Sequence, residues 1–136
     1  MAKVIIRPTL PSDLPHVIAG PLPCRVRTLT AVLEPDVDEK SQETVLGIGG
    51  IAFLPSGVEA FLQPAPHVKA RDYAVSCHRA GRMLMRMLQS SGIREVAARC
   101  DADNPAAARW LRRLGFVESA RQADPGKIIF FWHRRD

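Results

Sequence analysis

Between Asp103 and Phe116 the chain writes a single helix with both of its ends marked. The side-chain oxygen of Asn104 can accept from one of the backbone N–H groups that a helix start leaves unpaired, and Pro105 takes the first helical position, where a missing N–H is harmless. Gly115 stands just past the last apolar residue and can adopt the left-handed conformation that closes a helix, so Phe116 turns back into a following strand. Ala107, Trp110 or Leu111, and Leu114 form an apolar stripe, with Arg109, Arg112 and Arg113 largely on the other side. A helix with one such stripe must lean on another element, and the expected support is a sheet.

The remaining segments supply that sheet. Val4 to Arg7 reads as a strand, and Pro11-Ser12-Asp13 opens a helix that runs to about Ala19 with Leu14, Val17 and Ile18 inward, until Gly20-Pro21-Leu22-Pro23 breaks it. Arg27 to Glu34 alternates Arg27, Leu29, Ala31 and Leu33 against Thr28, Thr30 and Val32, the period of a strand. Pro35 to Glu43 is acidic and lacks apolar periodicity, so it is an exposed connection. Thr44 to Leu54 and Gly57 to Gln63 form an antiparallel hairpin around Pro55-Ser56-Gly57. From about Val68 to Ser91, the positions Tyr73, Cys77, Ala80, Leu84, Met87 and Ser91 recur at steps of four and three, an amphipathic helix that Gly92 ends. Glu95 to Asp101 is a strand reached only after that long helix, which implies a parallel, right-handed crossover. Phe116 to Arg121 and Lys127 to His133 are closing strands around Asp124-Pro125-Gly126. The resulting expectation is one α+β domain over residues 1–136, with a mixed central sheet of about seven strands flanked by three to four helices.

Bulk properties narrow the function. A chain of 136 residues, 46% apolar, can bury a core without disulfides or metals. Cys24, Cys77 and Cys100 are scattered and odd in number, so neither a disulfide framework nor a zinc spacing is present, and His16, His67, His78 and His133 have no mutual spacing suited to a metal. No apolar run approaches the ~20 residues that cross a bilayer, and the opening residues lack the zones of a signal peptide. These points favour a cytoplasmic setting with no membrane partner. The net charge of +5 gathers at Lys69, Arg71, Arg79, Arg82 and Arg86 and again at Arg109, Arg112 and Arg113, which suits an anionic ligand. Nucleic acid is disfavoured, because the chain has one Tyr and no aromatics interleaved with its basic residues. Gly47-Ile48-Gly49-Gly50 resembles part of a dinucleotide fingerprint, but it lies within a strand that no helix follows, so a bulge or close packing is the better reading.

The capped helix ending in Leu114-Gly115-Phe116 resembles the late helix of GNAT acetyltransferases, whose pattern runs Asn-x-x-Ala-x-x-x-Tyr-x-x-Leu-Gly-Phe. Val4-Ile5-Ile6-Arg7-Pro8, followed by Asp13-Leu14-Pro15, is similar to the family's opening strand and first helix, and the likeness spans nearly the whole chain. It implies an acetyl-CoA-dependent N-acetyltransferase acting on a small-molecule or peptide amine, with room for a homodimer. In that family the fourth strand holds the pantetheine arm and the next helix start holds the diphosphate. Here those are Gly57 to Gln63, including Leu62, and the segment beginning near His67, where Lys69 and Arg71 supply charge. Asn104 and Arg109 complete the implied coenzyme contacts, and Glu59 on the central strand is the candidate base, acting through water.

Two departures from the family pattern stand out. Its phosphate loop, Gln or Arg-x-x-Gly-x-Gly or Ala, is absent. Either Arg79-Ala80-Gly81-Arg82-Met83-Leu84 is an altered version that starts the helix near Gly81, or the helix is continuous from about Ala70 and carries Gly81 inside it at roughly 1 kcal/mol relative to Ala. The unbroken stripe from Tyr73 to Met87 favours the second. The other departure is Leu111, which replaces the tyrosine that in the family protonates the leaving thiolate. Tyr73 is the only tyrosine and reads as a core residue. These losses also fit a GNAT-fold protein without catalysis, such as the internal virion proteins of short-tailed phages, which the second half of the chain resembles and which would place it in a virion.

Overall fold

In the computed structural model, which describes residues 3–22, 24–34, 44–120 and 124–135, a seven-stranded sheet carries two α-helices on one face. The strands are β1 (Lys3–Pro8), β2 (Arg25–Glu34), β3 (Thr44–Leu54), β4 (Gly57–Pro64), β5 (Glu95–Asp101), β6 (Val117–Glu118) and β7 (Lys127–His133). The helices are α1 (Ala74–Ser90) and α2 (Pro105–Leu114). Across the sheet the order is β1-β2-β3-β4-β5-β7-β6, antiparallel at every step except β4 to β5. The α+β architecture with a mixed seven-stranded sheet agrees with the expectation from sequence. The acidic connection over residues 35–43 lies outside the described residues. The strand expected over Phe116 to Arg121 is shorter, Val117–Glu118, and Ser119 and Ala120 already lie beyond it, while Arg121 is not among the described residues. None of the described helices is long and apolar enough to cross a membrane.

The core forms where the helices meet the sheet. Leu84 and Leu88 of α1 and Ala108 and Leu111 of α2 pack against Ile51, Val96, Ala98, Phe130 and Trp132, all of them buried. Gly81 sits inside α1 because α2 passes close by. A Cβ at Gly81 would stand 2.9 Å from Leu114 Cδ1 and 3.0 Å from Trp110 Cζ2, so the propensity lost to glycine is offset by a tighter crossing of the two helices. The helix is therefore continuous through Gly81, preceded by a 3-10 turn at Ala70–Tyr73.

The glycines of β3 follow the same logic. A Cβ at Gly50 would lie 2.1 Å from the carbonyl oxygen of Arg27, so β2 and β3 can approach there only without one. Three residues earlier the register slips between Ala31, opposite Gly47, and Val32, opposite Val45, which leaves Leu46 as the extra residue of a bulge. The Leu46 carbonyl is used elsewhere, accepting from Ala65 N–H at 2.9 Å just past the end of β4.

The first helix is shorter than expected, a 3-10 segment at Pro11–His16. Pro15 lacks the N–H that an α-helix would bond to the Pro11 carbonyl, and its ring crowds that carbonyl. What holds the segment is the buried carboxylate of Asp13. It accepts from Arg7 Nη1 at 2.7 Å and Nη2 at 3.0 Å, and from the Leu10 N–H at 2.7 Å. The Arg7 guanidinium, more than any other group, lowers the Asp13 carboxyl from 3.8 to about 2, with burial opposing and the Leu10 N–H assisting. A carboxyl depressed in the folded state adds stability that is present above its ordinary value and lost as pH falls through the folded one. The contribution is about 2 kcal/mol. Asp13→Asn is expected to lower unfolding stability by that amount at neutral pH and to flatten the loss of stability between about pH 4 and pH 2, as measured by chemical denaturation across that range.

Candidate active site

β4 and β5 pair at only two positions, Glu59 with Ala97 and Ala60 with Ala98. Beyond them β4 continues to Pro64 along β3, and β5 continues to Asp101 along β7. Each strand is satisfied on its outer side and diverges from the other on its inner side, so a cleft of about 1110 Å³ opens between them under the starts of α1 and α2. Backbone groups along the split edges lack strand partners and are free to bond a ligand.

Leu62, Lys69, Arg71, Asn104 and Arg109 all line this cleft. Lys69, Arg71, Arg109 and Arg113 are exposed cations there, and no described carboxylate pairs with any of them. Asp101, also in the lining, is tied up by Lys127. The mouth of the cleft is thus positive, while Phe61, Leu111 and Phe116 make its depth apolar. Asn104 caps α2 as its residue type suggests. Its Oδ1 accepts from the Ala107 N–H at 3.2 Å, which leaves the two amide N–H groups of its side chain for another acceptor. Gly115 closes the helix with φ of 103°.

Glu59 does not line the cleft. Its neighbours Val58 and Ala60 pack toward the helices, so alternation turns Glu59 to the opposite face, with Oε1 3.6 Å from Arg99 Nε. Arg99 also reaches Asp124 Oδ2 at 3.1 Å. Leu111 is buried in the core and brings no hydroxyl, and Tyr73 is half-buried beside α1. Burial pushes the Cys77 thiol up, and burial with the charge of Asp101 does the same at Cys100, so both cleft cysteines stay protonated at neutral pH. Among the described residues no group of His, Cys, Asp or Glu could hold a metal ion.

Two cleft residues carry signals that the sequence did not single out. His78 Nδ1 and Trp110 Nε1 are buried with no hydrogen-bond partner among the described residues. A buried orphan polar atom is costly, and one facing a cleft is satisfied when a polar ligand enters. Trp110 was visible as an alternative member of the α2 stripe. His78 had only its place three residues before Gly81 to mark it.

No family model matches the sequence, and no curated protein sequence matches it significantly. Solved structures do. A protein assigned to the GNAT family of acetyltransferases from Desulfovibrio desulfuricans superposes with a TM-score of 0.68 at 17% identity, over 96% of this chain and 99% of the other. An acetyltransferase from Agrobacterium tumefaciens gives 0.64 at 16%, over 96% and 91%. A third, from Salmonella typhimurium and solved with acetyl-CoA as its cofactor, gives 0.60 at 15%, over 82% and 66%. The fold is the GNAT fold. At these identities the likeness concerns architecture, and within the GNAT fold the split between β4 and β5 lies where the sequence expectation put its coenzyme residues.

The cap of α2 positions that edge of the cleft and has a measurable share in stability. Asn104→Ala is expected to cost about 1 kcal/mol in chemical denaturation, with Asn104→Asp retaining most of it.

Proposed function

We propose that this chain is an acetyl-CoA-dependent N-acetyltransferase that passes an acetyl group to a small-molecule or peptide amine. The observation that carries the reading is the meeting of Leu62, Lys69, Arg71, Asn104 and Arg109 in one cleft, where no described carboxylate pairs with Lys69, Arg71 or Arg109. Lys69, Arg71 and Arg109 suit the phosphates of the coenzyme, each as a charge-assisted donor. The free edge of β4 near Leu62 suits the amides of a pantetheine arm, and the orphaned Trp110 N–H and His78 ring nitrogen suit its remaining polar groups.

In the transfer, a bond forms between the amine nitrogen and the acyl carbon, the carbon–sulfur bond breaks, the amine loses a proton and the departing thiolate gains one. Holding amine and thioester together in the right geometry can supply much of the rate, so few side chains need act. Glu59, on the face of the sheet away from the helices, is the candidate base for the amine proton through water, with Arg99 orienting its carboxylate. Leu111 offers no proton to the thiolate, which draws one from solvent.

A second reading, a GNAT-fold structural or interaction protein such as a phage internal virion protein, draws on Leu111 and on the Glu59–Arg99 ion pair. Calorimetric titration with acetyl-CoA separates the two. The enzyme reading predicts micromolar binding that weakens at least tenfold in the Lys69→Ala, Arg71→Ala double variant. Absence of binding at millimolar acetyl-CoA overturns it in favour of the scaffold.

A further inference from the structure

A second cavity lies between α1 and the sheet face formed by β1 to β4, with a volume of about 80 Å³. One buried water needs roughly 10–15 Å³ by the same measure, so the space would hold several. Its walls give them few partners, being almost wholly apolar, with Ile6, Leu29, Ala31, Ala80 and Leu84 among them. Apolar space of this kind favours apolar guests over water. Small residues hold it open from both sides, Ala31 and Gly49 from the sheet and Ala80 from the helix. A Cβ at Gly49 would already come within 3.3 Å of Leu62 Cδ1.

The cavity joins the cleft, since Leu62, Cys77, Gly81, Leu84 and Trp110 line both. We propose that it receives an alkyl chain borne by the acyl donor, so that the preferred thioester carries an acyl group longer than acetyl. The inference rests on the coenzyme-binding reading above, and the bonds made and broken are those already given. Two features assign the chain to the donor. The cavity opens on the same face of the sheet as the helices and the cations Lys69 and Arg71, whereas Glu59, which would meet the acceptor amine, is on the other face.

Calorimetry with coenzyme A, acetyl-, butyryl-, hexanoyl- and octanoyl-CoA tests it. Burial of each methylene tightens binding about fourfold, so affinity should rise by roughly tenfold or more from acetyl to butyryl and then level off as the cavity fills. Ala80→Phe and, from the sheet side, Ala31→Leu fill the cavity without touching the cleft. Whichever folds should bind coenzyme A as the parent does and lose the chain-length dependence. A flat series in the parent protein, with coenzyme A bound, overturns this inference and leaves the coenzyme reading standing; failure to bind coenzyme A overturns both. Uptake of hexylamine by the coenzyme A complex that Ala80→Phe abolishes, together with a flat acyl series, moves the chain to the acceptor and overturns the donor assignment.

Discussion

The short parallel contact between β4 and β5 governs this molecule. Two pairs of residues join the halves of the sheet, while β4 remains paired with β3 along its length and β5 with β7. Both half-sheets keep their outer pairing, so the split leaves unpaired only the inner-edge groups of β4 and β5 beyond Ala60 and Ala98. The cleft is therefore a product of the sheet's construction, and α1, which must carry the chain across the split, starts at its mouth. The chemistry proposed for the site is mostly a matter of what this opening gathers: unpaired backbone, unpaired cations and two orphaned polar atoms.

Close approach is the second theme, and glycine is its instrument. Gly50 lets β2 and β3 come together, and Gly81 lets α1 settle onto Trp110 and Leu114 of α2. The helix crossing fixes the separation of the two helix starts that flank the cleft. On the sheet face beneath α1, small residues do the reverse and leave space. The same kind of residue thus closes one part of the interior and keeps another open.

Much of this was legible in the sequence. The Asn104, Pro105 and Gly115 marks place α2 to the residue, because capping is local chemistry written in adjacent positions. The hairpin of β3 and β4 and the crossover to β5 followed from turn residues and from the length of the intervening helix. The first helix is shorter than its apolar spacing predicts. That spacing fits an α-helix, but Pro15 and the grip of Arg7, six residues away on β1, on Asp13 decide for a single tight segment, and apolar spacing does not register a polar contact with a strand. The five coenzyme candidates converge in the cleft, whereas the neighbourhood of Glu59 needed the register of β4 against β5 to bring Arg99 beside it. Neither the orphaned atoms of His78 and Trp110 nor the cavity beneath α1 could be read from residue types, since both arise from what the packing leaves unfilled.

The central claim is that the inner edges of β4 and β5 stand apart beyond Ala60 and Ala98 and are completed by a ligand. Residue-resolved amide hydrogen exchange tests it most directly. The amides of residues 61–63 and 99–101 that face the split should exchange orders of magnitude faster than those of the β2–β3 ladder in the free protein, and slow markedly when coenzyme A is added. Uniform protection of both strands in the free protein, unchanged by coenzyme A, would mean that the edges are zipped together and would contradict the account.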